Sequence, residues 1–244
     1  MAAVSTRMPL LSQHSEKPTV ASALRSSTLL NPLSEEELVK IERSSTLVMV
    51  DKGEIIWLSG SQVDFFGLVA TGFVKMTKSL ATGSDVTIEL VGPGQIFGFL
   101  GVIDGQGCPL TAQAVTDCWV LRVSNTAMKG VYDGSNRFKD HVVRRTAKRL
   151  RSAHDLLARI ASGRVEQRIA AILLLLAESY AREVRTGVLL EVPLTRQEIA
   201  DMAGTTVESA IRLLSRWQKE GIISTGPNHY LTLRDLDAIG AHLS

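Results

Sequence analysis

The spacing of apolar residues changes twice along the chain. From about Leu47 to Val123 they fall in short runs, LVMV, EIIWL, FFGLVA, FVKMTK, VTIELV and CWVLRV, separated by glycine-rich or polar turns. That rhythm predicts a small antiparallel barrel or roll. Gly60, Gly72, Gly83, Gly94, Gly98 and Gly101 fall at the expected corners, where a closed sheet needs positive φ or close backbone approach. From Phe138 to Ile160 the period lengthens, and Val143, Ala147, Leu150 and Leu157 recur at near-heptad spacing. A single apolar seam on a long helix asks for a partner helix. Lys139, Arg144, Arg145, Lys148, Arg149, Arg151 and Arg159 read as its solvated face, with direct contact to DNA as the alternative. Ser162-Gly163 breaks this helix and predicts a hinge.

The third pattern lies in Leu194 to Gly221, LTRQEIADMAGTTVESAIRLLSRWQKEG. Thr195 followed three residues on by Glu198 is a capping box, opening a helix that buries Ile199, Met202 and Ala203. Gly204 ends that helix, and Thr205 or Thr206 caps the next. In the second helix Val207, Ala210, Leu214 and Trp217 make the buried stripe. Glu208, Ser209, Arg212, Ser215, Arg216 and Lys219 then face outward. Two short helices locked at a glycine turn read as a DNA-binding helix-turn-helix.

Ile211 breaks the pattern by sitting on the polar face, where it could pack on the C5-methyl of a thymine. Glu208 can accept from a cytosine amino group, and Arg212 can fork onto guanine O6 and N7. Taken alone, Glu208 and Arg212 would sooner make an exposed i, i+4 ion pair; the turn chemistry reverses that preference in favour of base reading. Thr195, Arg196, Thr206, Ser209 and Arg216 complete the candidate DNA-contacting set. Beyond Gly221, IISTGPNHYLTL holds two β-prone runs around Gly226-Pro227-Asn228, a hairpin wing.

Composition narrows the setting. A chain of 244 residues accommodates one large or two modest domains. The net charge of +2 and pI near 8.6 are only mildly basic, so affinity for DNA must come from local placement of charge. Cys108 and Cys118, without a secretion signal, point to a reducing cytosol rather than a disulfide framework. Both read as small buried hydrophobes; a redox role for Cys108, in the loop DGQGCPL, is the alternative, although no adjacent Lys, Arg or His would depress its pKa. The N-terminal MAAVSTRMPLLSQHSEKPTVASALRSS reads as a loosely ordered arm, and the longest apolar run, Ile169 to Ala177, is too short to span a bilayer. A cytoplasmic protein without a membrane segment is expected.

Enzyme chemistry is poorly supported. None of His14, His141, His154, His229 and His242 lies in the expected roll, where a cupin-like enzyme would gather metal ligands. No glycine-rich phosphate loop or nucleophile elbow is present. A cyclic-nucleotide module of a channel or kinase would leave the helix-turn-helix unexplained.

Roll, long helix and winged helix-turn-helix, in that order, resemble the Crp/Fnr family of bacterial transcription regulators from about residue 30 onward. The resemblance is carried by the glycine pattern of LSGSQVDFFGLVATGFVKM and VGPGQIFGFLG, by the RIA-type signature in RVEQRIAAILLLLA, and by the E-x-x-x-R core Glu208 to Arg212. It implies an α+β chain: a flexible arm over 1–29, a cyclic-nucleotide-binding-like antiparallel β-roll sensor over 30–135, a dimerisation helix and hinge over 136–162, and a winged helix-turn-helix over 163–244. It also implies a homodimer joined through the 138–160 helix. Its two recognition helices would enter successive major grooves of a palindromic double-stranded site, about one helical turn apart. RNA polymerase is a further expected partner.

Departures from the family pattern bear on the signal. Members that bind cyclic AMP resemble one another in having a glutamate after the roll glycine and an arginine before a serine or threonine. Here Phe99 follows Gly98 and Leu110 precedes Thr111. A buried phosphate would lack counter-charge and donors, so the sequence speaks against cyclic AMP. An adenine-touching Thr-Ser pair on the dimer helix is matched here by Ala153-His154. Two cysteines, neither N-terminal, exclude the four-cysteine iron–sulfur mode within one subunit. The expected effector pocket, Phe97, Gly98, Phe99, Leu100, Leu110 and Thr111 facing the dimer helix at His154, is apolar. A cyclic-nucleotide-responsive regulator with an atypical pocket stays open as an alternative. So does a haem or nitric-oxide sensor, for which His154 is the candidate ligand, although a lone histidine is more often a hydrogen-bonded interface residue. No resident metal is expected.

Overall fold

The computed structural model describes residues 17–80 and 85–243; Gly83 lies outside them. Two helices come first, α1 (Val20–Ser26) and α2 (Glu35–Arg43). The strands β1 (Ser45–Val50), β2 (Ile55–Trp57), β3 (Phe65–Thr71), β4 (Val74–Ser79), β5 (Asp85–Val91) and β6 (Ile96–Phe97) follow. After α3 (Leu100–Asp104) come β7 (Thr111–Ala114) and β8 (Cys118–Ser124), then α4 (Asn125–Gly134) and the long α5 (Asn136–Ser162). The C-terminal part runs α6 (Val165–Tyr180), β9 (Ala181–Val184), β10 (Gly187–Leu190), α7 (Arg196–Met202), α8 (Val207–Lys219), β11 (Ile223–Thr225), β12 (Leu231–Leu233) and α9 (Leu236–Ala241).

β1 to β8 form two four-stranded antiparallel sheets, ordered β1-β8-β3-β6 and β2-β7-β4-β5. Alternation along β8 shows how they stack. Cys118 and Val120 turn inward to Trp57, Val69, Val74 and Phe97, whereas Leu121 and Val123 turn outward to Ile41, Met128 and Phe138 on the helices. Gly67 is a close-approach position: a Cβ there would lie 2.1 Å from the Phe97 ring.

Several expectations need correcting. Gly60, Gly72, Gly94 and Gly98 do have positive φ, but Gly101 sits inside α3. The sequence runs omit β6 and β7, which are two and four residues long and bounded by Gly-Pro or Pro-containing turns. Residues 20–29, assigned to a loose arm, include α1, opened by a capping box between Thr19 and Ser22. Ala23, Leu24 and Leu29 are buried in the outer cluster of the roll. Apolar spacing over so short a helix was masked by its serines, Ser22 and Ser26.

On α5, Phe138 and Val142 pack into the roll while Val143 and Leu150 stand 62% and 55% exposed. Ala147 is half-buried, and the side chain of Leu157 lies outside the described residues. Along α6, Ile169, Ala170, Ile172, Leu173 and Leu176 are buried, so the longest apolar run is a core helix. Among the described residues no helix is long and apolar enough to cross a membrane.

Candidate nucleic-acid interface

Local chemistry sets the first helix of the motif. The Thr195 hydroxyl accepts from the Glu198 amide at 3.1 Å, and Glu198 Oε2 accepts from the Thr195 amide and hydroxyl, each at 2.8 Å. Gly204, at φ 58°, makes the left-handed turn that an L side chain resists. Arg168 reaches over from α6 and donates to the Gly204 carbonyl at 2.8 Å. Thr206 caps α8 by accepting from the Ser209 amide at 3.3 Å, and its hydroxyl donates to Ser209 Oγ at 3.1 Å.

Ile199, Ala200 and Ala203 of the first helix are buried, as are Ala210, Leu213, Leu214 and Trp217 of the second. Met202 and Val207 are only half-buried, and Leu213 joins the stripe the sequence drew without it. Three- and four-residue spacing tolerates either choice on a 3.6-residue period.

The outer face of α8 carries Glu208, Ile211, Arg212, Ser215, Arg216 and Lys219, all exposed, with Ser209 half-buried. Ile211 is 46% exposed with no core to fill. Among the described residues no ion pair joins Glu208 to Arg212. Arg216 differs: its Nη2 lies 2.5 Å from Glu166 Oε1 and its Nε 3.9 Å from Glu220. The Glu166 hydrogen bond raises the Arg216 pKa further, and the residue is engaged with α6 rather than held out from the face. Arg196 donates to the Thr225 hydroxyl of the wing at 2.8 Å, and burial lowers its pKa. Thr195, half-buried, is occupied by the capping box.

β11 and β12 pair antiparallel from Ile223–Leu233 to Thr225–Leu231, and the tip between them turns through Asn228 and His229, both at positive φ. The expected wing is therefore a hairpin, extended by β10 and β9 into a four-stranded sheet that the sequence did not signal.

The expected effector residues separate. Phe97 stacks on Trp57 in the roll interior, with centroids 5.0 Å apart, and Gly98 backs onto the same Trp57. The Trp57 indole donates to the Leu110 carbonyl at 3.1 Å, and Thr111 Oγ1 accepts from the Ser59 amide at 3.0 Å. These four residues are brought together around Trp57. Phe99 turns the other way, edge-on to Phe66 and Phe138 in the outer cluster, while Leu100 and His154 are solvent-exposed. Among the described residues no group of three or more His, Cys, Asp or Glu could hold a metal ion.

Sequence reasoning missed Arg168 and Tyr180, which tie the motif to its surroundings. Arg168 was visible only as the polar residue of the RIA-type signature, and Tyr180 gave no local signal at all.

The cyclic nucleotide-binding domain family matches residues 47–135, and the Crp-like helix-turn-helix domain family matches residues 167–241. The chain is 23% identical over 220 residues to a probable transcriptional activator of Rhizobium leguminosarum bv. viciae, covering 90% of each. Its fold is similar to that of FixK2 from Bradyrhizobium japonicum, at a TM-score of 0.73 and 24% identity over 82% of this chain and 98% of that one. A CRP-family transcriptional regulator from Thermus thermophilus superposes at a TM-score of 0.67, with 27% identity over 80% of this chain and 96% of that one. Two of these three are described as transcription regulators. With its roll, long helix and capped helix-turn-helix, the chain belongs to the Crp/Fnr family of transcription regulators.

Proposed function

We propose that the chain is a homodimeric, cytoplasmic regulator that reads a palindromic DNA site with α8 and does so without cyclic AMP. The observation that carries the reading is the exposed trio Glu208, Ile211 and Arg212, in which the two charges are not spent on each other. An exposed arginine fits guanine O6 and N7, and an isoleucine beside it gains by covering a thymine methyl. Each such contact discriminates by roughly 1–3 kcal/mol against the wrong base. Arg196, Thr206 and Ser209 flank the trio as candidate backbone contacts, whereas Arg216 serves first as a brace to Glu166.

Dimerisation is supported by Val143 and Leu150, large apolar side chains left exposed at seven-residue spacing on α5. A second copy of the same seam would cover them and set two recognition helices on one duplex. RNA polymerase is the partner such a regulator would engage once on its operator.

Independence from cyclic AMP is supported by the roll interior. Trp57 and Phe97 stack there beside Leu110, where an arginine would be needed, and Phe99, turned into the outer cluster, supplies no acidic ribose contact. A phosphate there would be desolvated without a partner, at a cost of roughly several kcal/mol.

The test is selection of bound sequences from a random DNA pool by the purified full-length chain, with and without cyclic AMP. An inverted repeat recovered equally in both arms is expected. A motif that appears only with cyclic AMP would overturn the reading of Phe99 and Leu110, and recovery of no motif would overturn sequence-specific binding.

A further inference from the structure

We infer that Tyr180 is a positioning residue for DNA binding: it plugs the end of α6 into the β5–β6 turn of the roll and fixes the angle at which α8 is presented. The inference rests on the reading of the chain as a dimer on a two-part site.

Tyr180 is the last residue of α6, yet its side chain belongs to the other domain. Its ring meets Phe73 of the roll edge-on, with centroids 5.4 Å apart. Its hydroxyl lies 2.8 Å from the Leu90 carbonyl and 2.5 Å from Gln95 Oε1, directing its hydrogen between these two acceptors. The same Gln95 oxygen accepts from the Gly92 amide at 3.0 Å, so one side chain holds both the turn and the phenol. Gly92 has to be glycine for this fit, because a Cβ would stand 2.6 Å from Tyr180 Cε1 and 2.8 Å from Phe73 Cε1.

A second contact lies on α7. Lys75 Nζ approaches Glu198 Oε1 at 3.9 Å, and that carboxylate is the one whose other oxygen caps the helix. Leu90 and Val115 of the roll line a crevice with Leu194 and Met202 of the DNA-binding part, and Phe73, Leu90 and Val115 share its apolar cluster. Domains joined by a hinge move relative to each other unless such an interface restrains them.

The docked arrangement leaves the reading face open. The contacts use α6, the Glu198 and Met202 side of α7, and none of Glu208, Ile211 or Arg212, which are exposed. Docking is thus compatible with DNA, and it removes the orientational freedom that a second recognition helix would otherwise lose on binding. Gln95 also sits two residues before Phe97, so β6 runs from the latch directly into the Trp57 stack.

The experiment compares full-length wild type, Tyr180→Phe and Gln95→Leu on three probes: the selected inverted repeat, the same repeat with its spacer changed by one base pair, and a single half-site. Tyr180→Phe keeps the ring and loses the hydroxyl; Gln95→Leu removes the acceptor from the opposite side and stands in should the first variant fold poorly. Wild type is expected to prefer the native spacer. Both variants are expected to bind it about three- to tenfold more weakly, the effect of one lost hydrogen bond, with the spacer preference reduced and half-site affinity unchanged. An unchanged spacer preference in both variants would overturn the inference, as would tighter binding by either, which would make the docking inhibitory. Wild type indifferent to spacer length would overturn the two-site reading itself, and the inference with it.

Discussion

Arg168 Nη1 and the Gly204 carbonyl, 2.8 Å apart, join the first turn of α6 to the turn between the two helices of the DNA-binding motif. A guanidinium beside the C-terminal end of α7 satisfies a carbonyl that the glycine turn leaves outside the helical ladder. The Arg168 Nε is buried without a hydrogen-bond partner among the described residues, which offsets part of the gain.

Replacing Arg168 with methionine should therefore destabilise the protein by only about 1 kcal/mol, below the roughly 1.5–3 kcal/mol of bonds to charged groups. In a chain of this size that is a fall of roughly 2–4 °C in Tm, readable by calorimetry. Arg168→Lys, which keeps charge but loses the fork, should fall between. A variant as stable as wild type would show the bond to be ornamental.

Val143→Asp tests the α5 seam. In a monomer the change is nearly neutral, since Val143 is 62% exposed. Across a two-fold seam it buries carboxylates without partners, at a cost of roughly 3 kcal/mol or more, which is over a hundredfold in dimer Kd. Sedimentation equilibrium should show monomers at concentrations where wild type is dimeric. Dimers of undiminished affinity would move the interface elsewhere.

The cysteines should be unreactive. Cys108 and Cys118 are both buried, and desolvation raises both thiol pKa values, so little thiolate is present near neutrality. Alkylation by iodoacetamide at pH 7.5 should be slow in the folded protein and fast in denaturant, with mass spectrometry as the readout. Rapid labelling of Cys108 alone would revive a redox role for its loop.

Tyr180 gives the latch a pH dependence of definite sign. Desolvation is the largest influence on its pKa and raises it. A raised folded-state pKa means that the contribution is complete below the unfolded value of about 10 and is lost as pH climbs through the folded value. The stability difference between wild type and Tyr180→Phe should hold constant from pH 7 to 9 and shrink in the alkaline range. A difference that changes between pH 6 and 8 would implicate another group.

What the sequence made legible was what its residues do to near neighbours. Thr195 and Glu198 are three residues apart, Gly204 acts on its own φ, and the α8 stripe repeats within one helix, so each could be read directly. On α5 the same rule marks Val143 and Leu150 as one stripe, and both are exposed. The strands β6, β7 and β9, IF, TAQA and AREV, hold too few large apolar residues to stand out as β-prone runs. The apolar pocket expected around Phe97 and Phe99 assumed that neighbours in sequence face one space, but β6 ends at Phe97 and the positive φ of Gly98 turns the chain, so Phe99 enters a different cluster. The ties that orient the motif were out of reach altogether: Arg168 meets Gly204 across 36 residues, and Tyr180 meets Gln95 across 85. Such pairings depend on the packed fold, and no local pattern encodes them.

Whether the exposed face of α8 reads base sequence is decided by repeating the random-pool selection with Arg212→Ala beside wild type. An inverted repeat is expected from both, with the variant losing its preference at one guanine in each half-site and about 1–3 kcal/mol of specific binding. An identical motif recovered at uniformly lower affinity would contradict base reading by this residue, and would make Arg212 a contact to the phosphate backbone.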